Sequence, residues 1–172
     1  LANGPAPLLV THDGGLHWKP LGKIVSHTRS QILRAYAAPD GWWAAMAGGG
    51  LMRYDSAGDV WVREGRLIGD AASLRADQPT TVTRAPRTAA ARKRKSPAAT
   101  GGAMIDWTIN DLAFSATRWF AASEHGLLFS DNRGRSWSLL PLGPLSSLPV
   151  SSVRASRDGR SLWVVSLRGL VF

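Results

Sequence analysis

The chemistry open to this chain of 172 residues rests on few side chains, among them two glutamates (Glu64 and Glu124), two tyrosines (Tyr36 and Tyr54) and four histidines. Glycoside hydrolysis needs two positioned carboxylates, or a tyrosine nucleophile set beside an acid. Glu64 stands among Arg63 and Arg66, which is the setting of a solvated ion pair. Glu124 and His125 fall in a short polar turn between two apolar runs. They form the candidate ligand-facing pair. His12, His17, His27 and His125 show no metal-ligand spacing, and Asp131-Asn132 with Asp111 lacks the dense oxygen ligands of a calcium loop. The stretch 15–24 departs from a phosphate loop at His17, where Gly is needed, and at Ile24, where Ser or Thr is needed. There is no Gly-x-Ser-x-Gly elbow and no His-Glu-x-x-His helix. Cysteine is absent, which removes disulfides, thiol nucleophiles and cysteine-ligated metals. The sequence therefore assigns no catalytic residue, no cofactor and no metal.

The remaining chemical feature is charge. The net charge is +9, but segment 79–103 carries Arg84, Arg87, Arg92, Lys93, Arg94 and Lys95 with no acid, and the rest of the chain is nearly balanced. Nucleic acid is accordingly not an expected partner of the whole chain. The Pro, Thr, Ala and Arg composition of this segment holds too little apolar content for a core, so a flexible insertion is expected at about 70–104. Arg92, Lys93, Arg94 and Lys95 make it a candidate anion-binding arm. The longest mostly apolar stretch, 42–52, is well short of the about 20 residues of a membrane-spanning helix. Leu1 in place of a Met and the apolar close Gly169-Leu170-Val171-Phe172 suggest that this is a fragment of a longer protein.

The elements that position these residues follow from an internal repeat. Thr11-His12-Asp13-Gly14-Gly15-Leu16-His17-Trp18 and Ser130-Asp131-Asn132-Arg133-Gly134-Arg135-Ser136-Trp137 share the pattern hydroxyl-x-(Asp/Asn)-x-Gly-x-x-Trp. A worn copy runs Tyr54-Asp55-Ser56-Ala57-Gly58-Asp59-Val60-Trp61. Trp18 and Trp61 are 43 residues apart, and Trp61 and Trp137 are 76 apart, one repeat plus an insertion of 33. The same register aligns Leu51-Met52-Arg53 with Leu127-Leu128-Phe129 and Leu170-Val171-Phe172, and Trp43-Ala44-Ala45 with Trp119-Phe120-Ala121 and Leu162-Trp163-Val164. Turn signals at Asp40-Gly41 and Asp158-Gly159 precede such runs. The clearest unit reads as four strands, over 32–38, 42–46, 50–54 and 61–66. Four strands in about 43 residues is the size of a propeller blade.

The repeated element resembles the Asp box of BNR-repeat β-propellers, a group that includes sialidases, sortilin-type receptors and photosystem II assembly-factor-like propellers of bacteria. The resemblance implies an all-β chain of four-stranded antiparallel blades, a little over three blades of a larger ring, with residues 1–172 as a partial propeller. It makes Thr11, Asp13, Gly15, Trp18, Gly58, Trp61, Ser130, Asn132, Gly134 and Trp137 structural, with Asp or Asn bonding turn amides and Trp facing the neighbouring blade. The middle box, with Tyr54 in the hydroxyl slot and Ser56 in the Asp slot, is expected to be held less firmly. The function it implies is a non-catalytic scaffold that binds another protein, outside the cytoplasm. The alternative is a sialidase-like or xyloglucanase-like glycoside hydrolase with catalytic residues mostly outside this segment.

Overall fold

The computed structural model describes residues 8–24, 31–69, 102–143, 146 and 148–166. Among them it is all-β, with fifteen strands and no α-helix. The strands are β1 (Leu8–Val10), β2 (Lys19–Leu21), β3 (Lys23–Ile24), β4 (Ile32–Ala38), β5 (Gly41–Met46), β6 (Leu51–Asp55), β7 (Val60–Glu64) and β8 (Arg66–Leu67). They continue as β9 (Ala103–Met104), β10 (Ile109–Phe114), β11 (Trp119–Ser123), β12 (Gly126–Ser130), β13 (Ser136–Leu139), β14 (Val150–Ala155) and β15 (Leu162–Ser166). No helix among the described residues is long and apolar enough to cross a membrane.

Strands β4 to β7 and β10 to β13 each form an antiparallel meander in chain order. β1 with β2, and β14 with β15, form two-stranded pieces beside them. The middle strands β5 and β11 are buried along most of their length, because sheets cover both of their faces. That is why they read as continuous apolar runs rather than alternating ones. Three apolar clusters hold the sheets together. One joins Trp43 and Leu51 to Trp119, Leu128 and Trp137, one joins Phe120 and Leu127 to Val153 and Val164, and one sets Leu8, Leu21 and Ile24 against Met52 and Trp61. In the first, Trp43 meets Trp119 edge-on at 5.4 Å and Trp119 meets Phe114 at 4.7 Å.

The outer edge of each meander corrects the sequence reading of four-stranded antiparallel units. The strand expected over 61–66 breaks at Gly65 (φ 93°). Its tail, β8, leaves its own sheet and pairs in parallel with β13, Ser136 opposite Arg66 and Trp137 opposite Leu67. The same occurs 43 residues earlier, where the chain turns at Gly22 (φ 73°) and β3 pairs in parallel with β7. Both sheets are therefore mixed. The physical reason lies in the glycines: a Cβ on Gly65 would lie 3.0 Å from Trp137 Nε1, and one on Gly22 would lie 2.9 Å from Trp61 Cδ1. Only a residue without a side chain lets the strand cross onto the tryptophan of the next sheet.

The expected insertion at about 70–104 is corrected at its end. Ala103 and Met104 form β9, antiparallel to β8, with Leu67 opposite Ala103. A ladder forms there because Arg66 and Leu67, once drawn onto β13, present a free edge. Ile105 then donates its N–H to Gly65 O at 3.1 Å and is fully buried.

Candidate functional site

The two full boxes have the same hydrogen-bond geometry. Thr11 Oγ1 accepts the Gly15 N–H at 2.9 Å and donates to Asp13 Oδ1 at 2.8 Å, and Asp13 Oδ1 accepts the His17 N–H at 3.0 Å. Ser130 Oγ accepts the Gly134 N–H at 2.8 Å and donates to Asn132 Oδ1 at 2.9 Å, which accepts the Ser136 N–H at 2.9 Å. Each box tryptophan returns its indole N–H to the box glycine: Trp18 to Gly15 O at 2.9 Å and Trp137 to Gly134 O at 2.8 Å. The His17 amide and ring, with the Thr11 hydroxyl, hold the Asp13 carboxyl at about 2. Such a carboxylate is a poor proton donor or acceptor near neutral pH.

The packing of the boxes differs. Trp61 and Trp137 are buried, whereas Trp18 is 57% exposed, against the expectation that each box tryptophan faces a neighbouring blade. Trp61 and Trp137 lie against Gly22 and Gly65 of the preceding unit, whereas the glycine against Trp18 is Gly15 of its own box. In the middle box the left-handed residue is Asp59 (φ 51°) and not Gly58. Tyr54 reaches past the turn to give its hydroxyl proton to Asp59 Oδ1 at 2.8 Å, and Trp61 donates to Leu21 O of the preceding unit at 2.7 Å. The worn box thus exchanges internal bonds for one between units.

These bonds rank the substitutions. Ser130 is buried and accepts the buried Gly134 amide, so Ser130→Ala should cost about 2 kcal/mol by leaving that donor unpaired. Asn132→Ala removes bonds at an exposed turn and should cost about 1 kcal/mol. Ser56→Ala, at an exposed position, should change stability by less than about 0.5 kcal/mol. Urea titration monitored by tryptophan fluorescence measures the order.

The candidate ligand-facing pair is engaged in the fold. Glu124 Oε1 accepts the Thr108 N–H at 2.9 Å, and the Glu124 N–H returns to Thr108 O at 3.3 Å. The His125 ring lies against Trp107, centroids 4.7 Å apart. Both residues thereby fasten the segment entering β10 to the turn between β11 and β12. Glu64 pairs with Arg53 at 3.7 Å. Asp131 pairs with Arg118 at 2.6 Å, and Asp111 lies on β10 among other partners. Arg92, Lys93, Arg94 and Lys95 lie outside the described residues.

Asp111 is the center of a cluster that motif reading does not reveal. It follows a bulge in β10 between Ile109 and Asp111, and its side chain is 3% exposed. Oδ2 accepts from Ser152 Oγ at 2.7 Å, from the Val153 N–H at 3.2 Å and from Arg154 Nη1 of β14. Oδ1 accepts the Leu112 N–H at 3.1 Å and faces Arg34 Nη1 of β4 at 3.5 Å. Burial pushes this carboxyl up, but the bonds from Ser152, Val153 and Arg154 outweigh it and hold it below the ordinary carboxylate value. One buried carboxylate thus ties together the first strands of three successive units, β4, β10 and β14. Among the described residues no group of acids and histidines is placed to hold a metal ion.

The chain matches no protein-family model and no curated protein. Any reading of its role rests on this geometry. The signal that could have exposed the cluster is the 43-residue spacing of Asp111 and Arg154, one full repeat. It equals the repeat, yet carries no motif of its own.

Proposed function

We propose that these units are blades of an Asp-box β-propeller, a little over three of a larger ring, and that the chain acts as a non-catalytic scaffold binding another protein. Support for the propeller comes from the 43-residue register of turns and glycine kinks, and from apolar clusters lying between successive sheets. The observation that carries the scaffold reading is the use of the side chains. The box residues bond turn amides, Glu124 bonds the Thr108 amide, His125 stacks on Trp107, and Asp111 joins strands. Acids committed in this way hold blades together, and ligand recognition falls to the turns at the ends of the sheets.

The reading is tested by two measurements on the purified chain. Fluorogenic sialosides, β-glucosides and xyloglucan oligosaccharides should show no turnover from mildly acidic to neutral pH. Cross-linking in an extract of the source cells should yield a defined protein adduct, reduced when the turn is changed by Glu124→Asn with His125→Gly and retained in Asn132→Ala. Saturable glycoside turnover that disappears in Glu124→Gln or Asp111→Asn, without loss of folding, would replace the scaffold with a hydrolase.

A further inference from the structure

Arg34 and Arg154 reach the same buried carboxylate from opposite sides. Each spends only Nη1 on it. Arg34 Nη1 also donates to Asn110 O at 3.3 Å, and Arg154 Nη1 to Val153 O at 2.7 Å. Nε and Nη2 of both guanidinium groups make no bond to Asp111. The two side chains are 57% and 66% exposed, while Asp111 beneath them is 3% exposed. They line an open groove of about 550 Å³, shared with Tyr36 and Phe114.

Two features separate this cluster from an ordinary surface ion pair. The first is its charge: two guanidinium groups against one carboxylate leave a net positive site, and the carboxylate is saturated by five donors. The second is Tyr36, whose buried hydroxyl lies beside Arg34 and, among the described residues, has no hydrogen-bond partner of ordinary geometry. Burial and the nearby Asp111 charge push that phenol up to about 12, so it remains a proton donor. A buried donor left unpaired costs free energy that an arriving acceptor would recover. The guanidinium edges not spent on Asp111 also match the planar geometry in which arginine grips an oxyanion.

We propose that Arg34 and Arg154 form an anion clamp, pre-oriented by Asp111, that binds the carboxylate or phosphate group of a ligand entering the groove. The clamp depends only on the placement of β4, β10 and β14, and it stands whether or not the ring reading holds. The basic run Arg92 to Lys95 is a separate stretch of chain, 58 residues after Arg34 and 59 before Arg154.

The test titrates the full chain at low salt with inorganic phosphate and, separately, with citrate, following arginine Nε–H resonances by NMR. Saturable shifts confined to Arg34 and Arg154 are expected, and the relative affinities of the two probes assign the preferred group. Arg34→Gln and Arg154→Gln should each weaken binding about tenfold. Because these variants also loosen the Asp111 contacts, Arg154→Lys serves as the second variant. It retains the charge beside Asp111 but loses the fork, and should also bind about tenfold more weakly with an unchanged melting temperature. Unchanged affinity in Arg154→Lys would overturn the clamp. So would binding that is lost on neutralising Arg92, Lys93, Arg94 and Lys95, which would place the anion site on that run instead.

Discussion

Trp137→Ala should lower folding stability by about 3 to 5 kcal/mol, whereas Trp18→Ala should change it by less than about 1 kcal/mol. The two residues hold the same place in two boxes with the same hydrogen bonds, so the contrast isolates packing from turn chemistry. Trp137 is fully buried, with Gly65 and Ile105 against its indole. Its removal opens a large cavity between the β8 crossing and the β10–β13 sheet, which the parallel pairing of β8 with β13 keeps from collapsing. Trp18 keeps its bond to Gly15 O but is 57% exposed. Gly65→Ala should reproduce part of the Trp137 effect, since its Cβ would meet the ring at 3.0 Å in a backbone conformation that side chains disfavour. Urea denaturation of the three variants provides the comparison. Equal losses in Trp18→Ala and Trp137→Ala would show that the indole acts through its turn alone.

Asp111→Ala should cost about 2 to 4 kcal/mol. The Val153 N–H is left buried without its acceptor, and Arg154 and Arg34 lose the charge that orients them. The loss stays below that of a wholly buried pair because both arginines are more than half exposed and regain water. The pH dependence has a definite sign. The folded-state value of this carboxyl is below its unfolded one, so its contribution is complete above the ordinary carboxylate value of about 4 and is lost as pH falls through the lower folded value. Asp111→Ala should therefore flatten the acid limb of a stability-against-pH curve while leaving its neutral-to-alkaline shape unchanged. An acid limb identical to the parent's would remove Asp111 from the role assigned to it.

Much of this protein is local, and what is local was legible. The strand expected over 32–38 coincides with β4, and those over 42–46 and 50–54 match β5 and β6 within a residue. Apolar runs bounded by Asp-Gly and Gly-Gly pairs set these limits without reference to the rest of the chain. The box turns are equally local, because each bond in them spans two to four residues. A short polar side chain, a glycine and a tryptophan at that spacing close the same turn wherever they occur.

Tertiary structure decided what joins one unit to the next. The break at Gly65 and the transfer of β8 to β13 depend on a tryptophan 72 positions further along the chain, so residues 61–66 by themselves read as one strand. Ala103 and Met104 become β9 only because that transfer offers them an edge. Asp111 finds Arg34 77 residues before it and Arg154 43 residues after it, across gaps that no turn rule spans. Alternation and turn chemistry act over a few residues, which lets a sequence declare its strands. Which strand edges and buried charges meet depends on how whole sheets stack, and that is settled by side chains distant in sequence packing against one another.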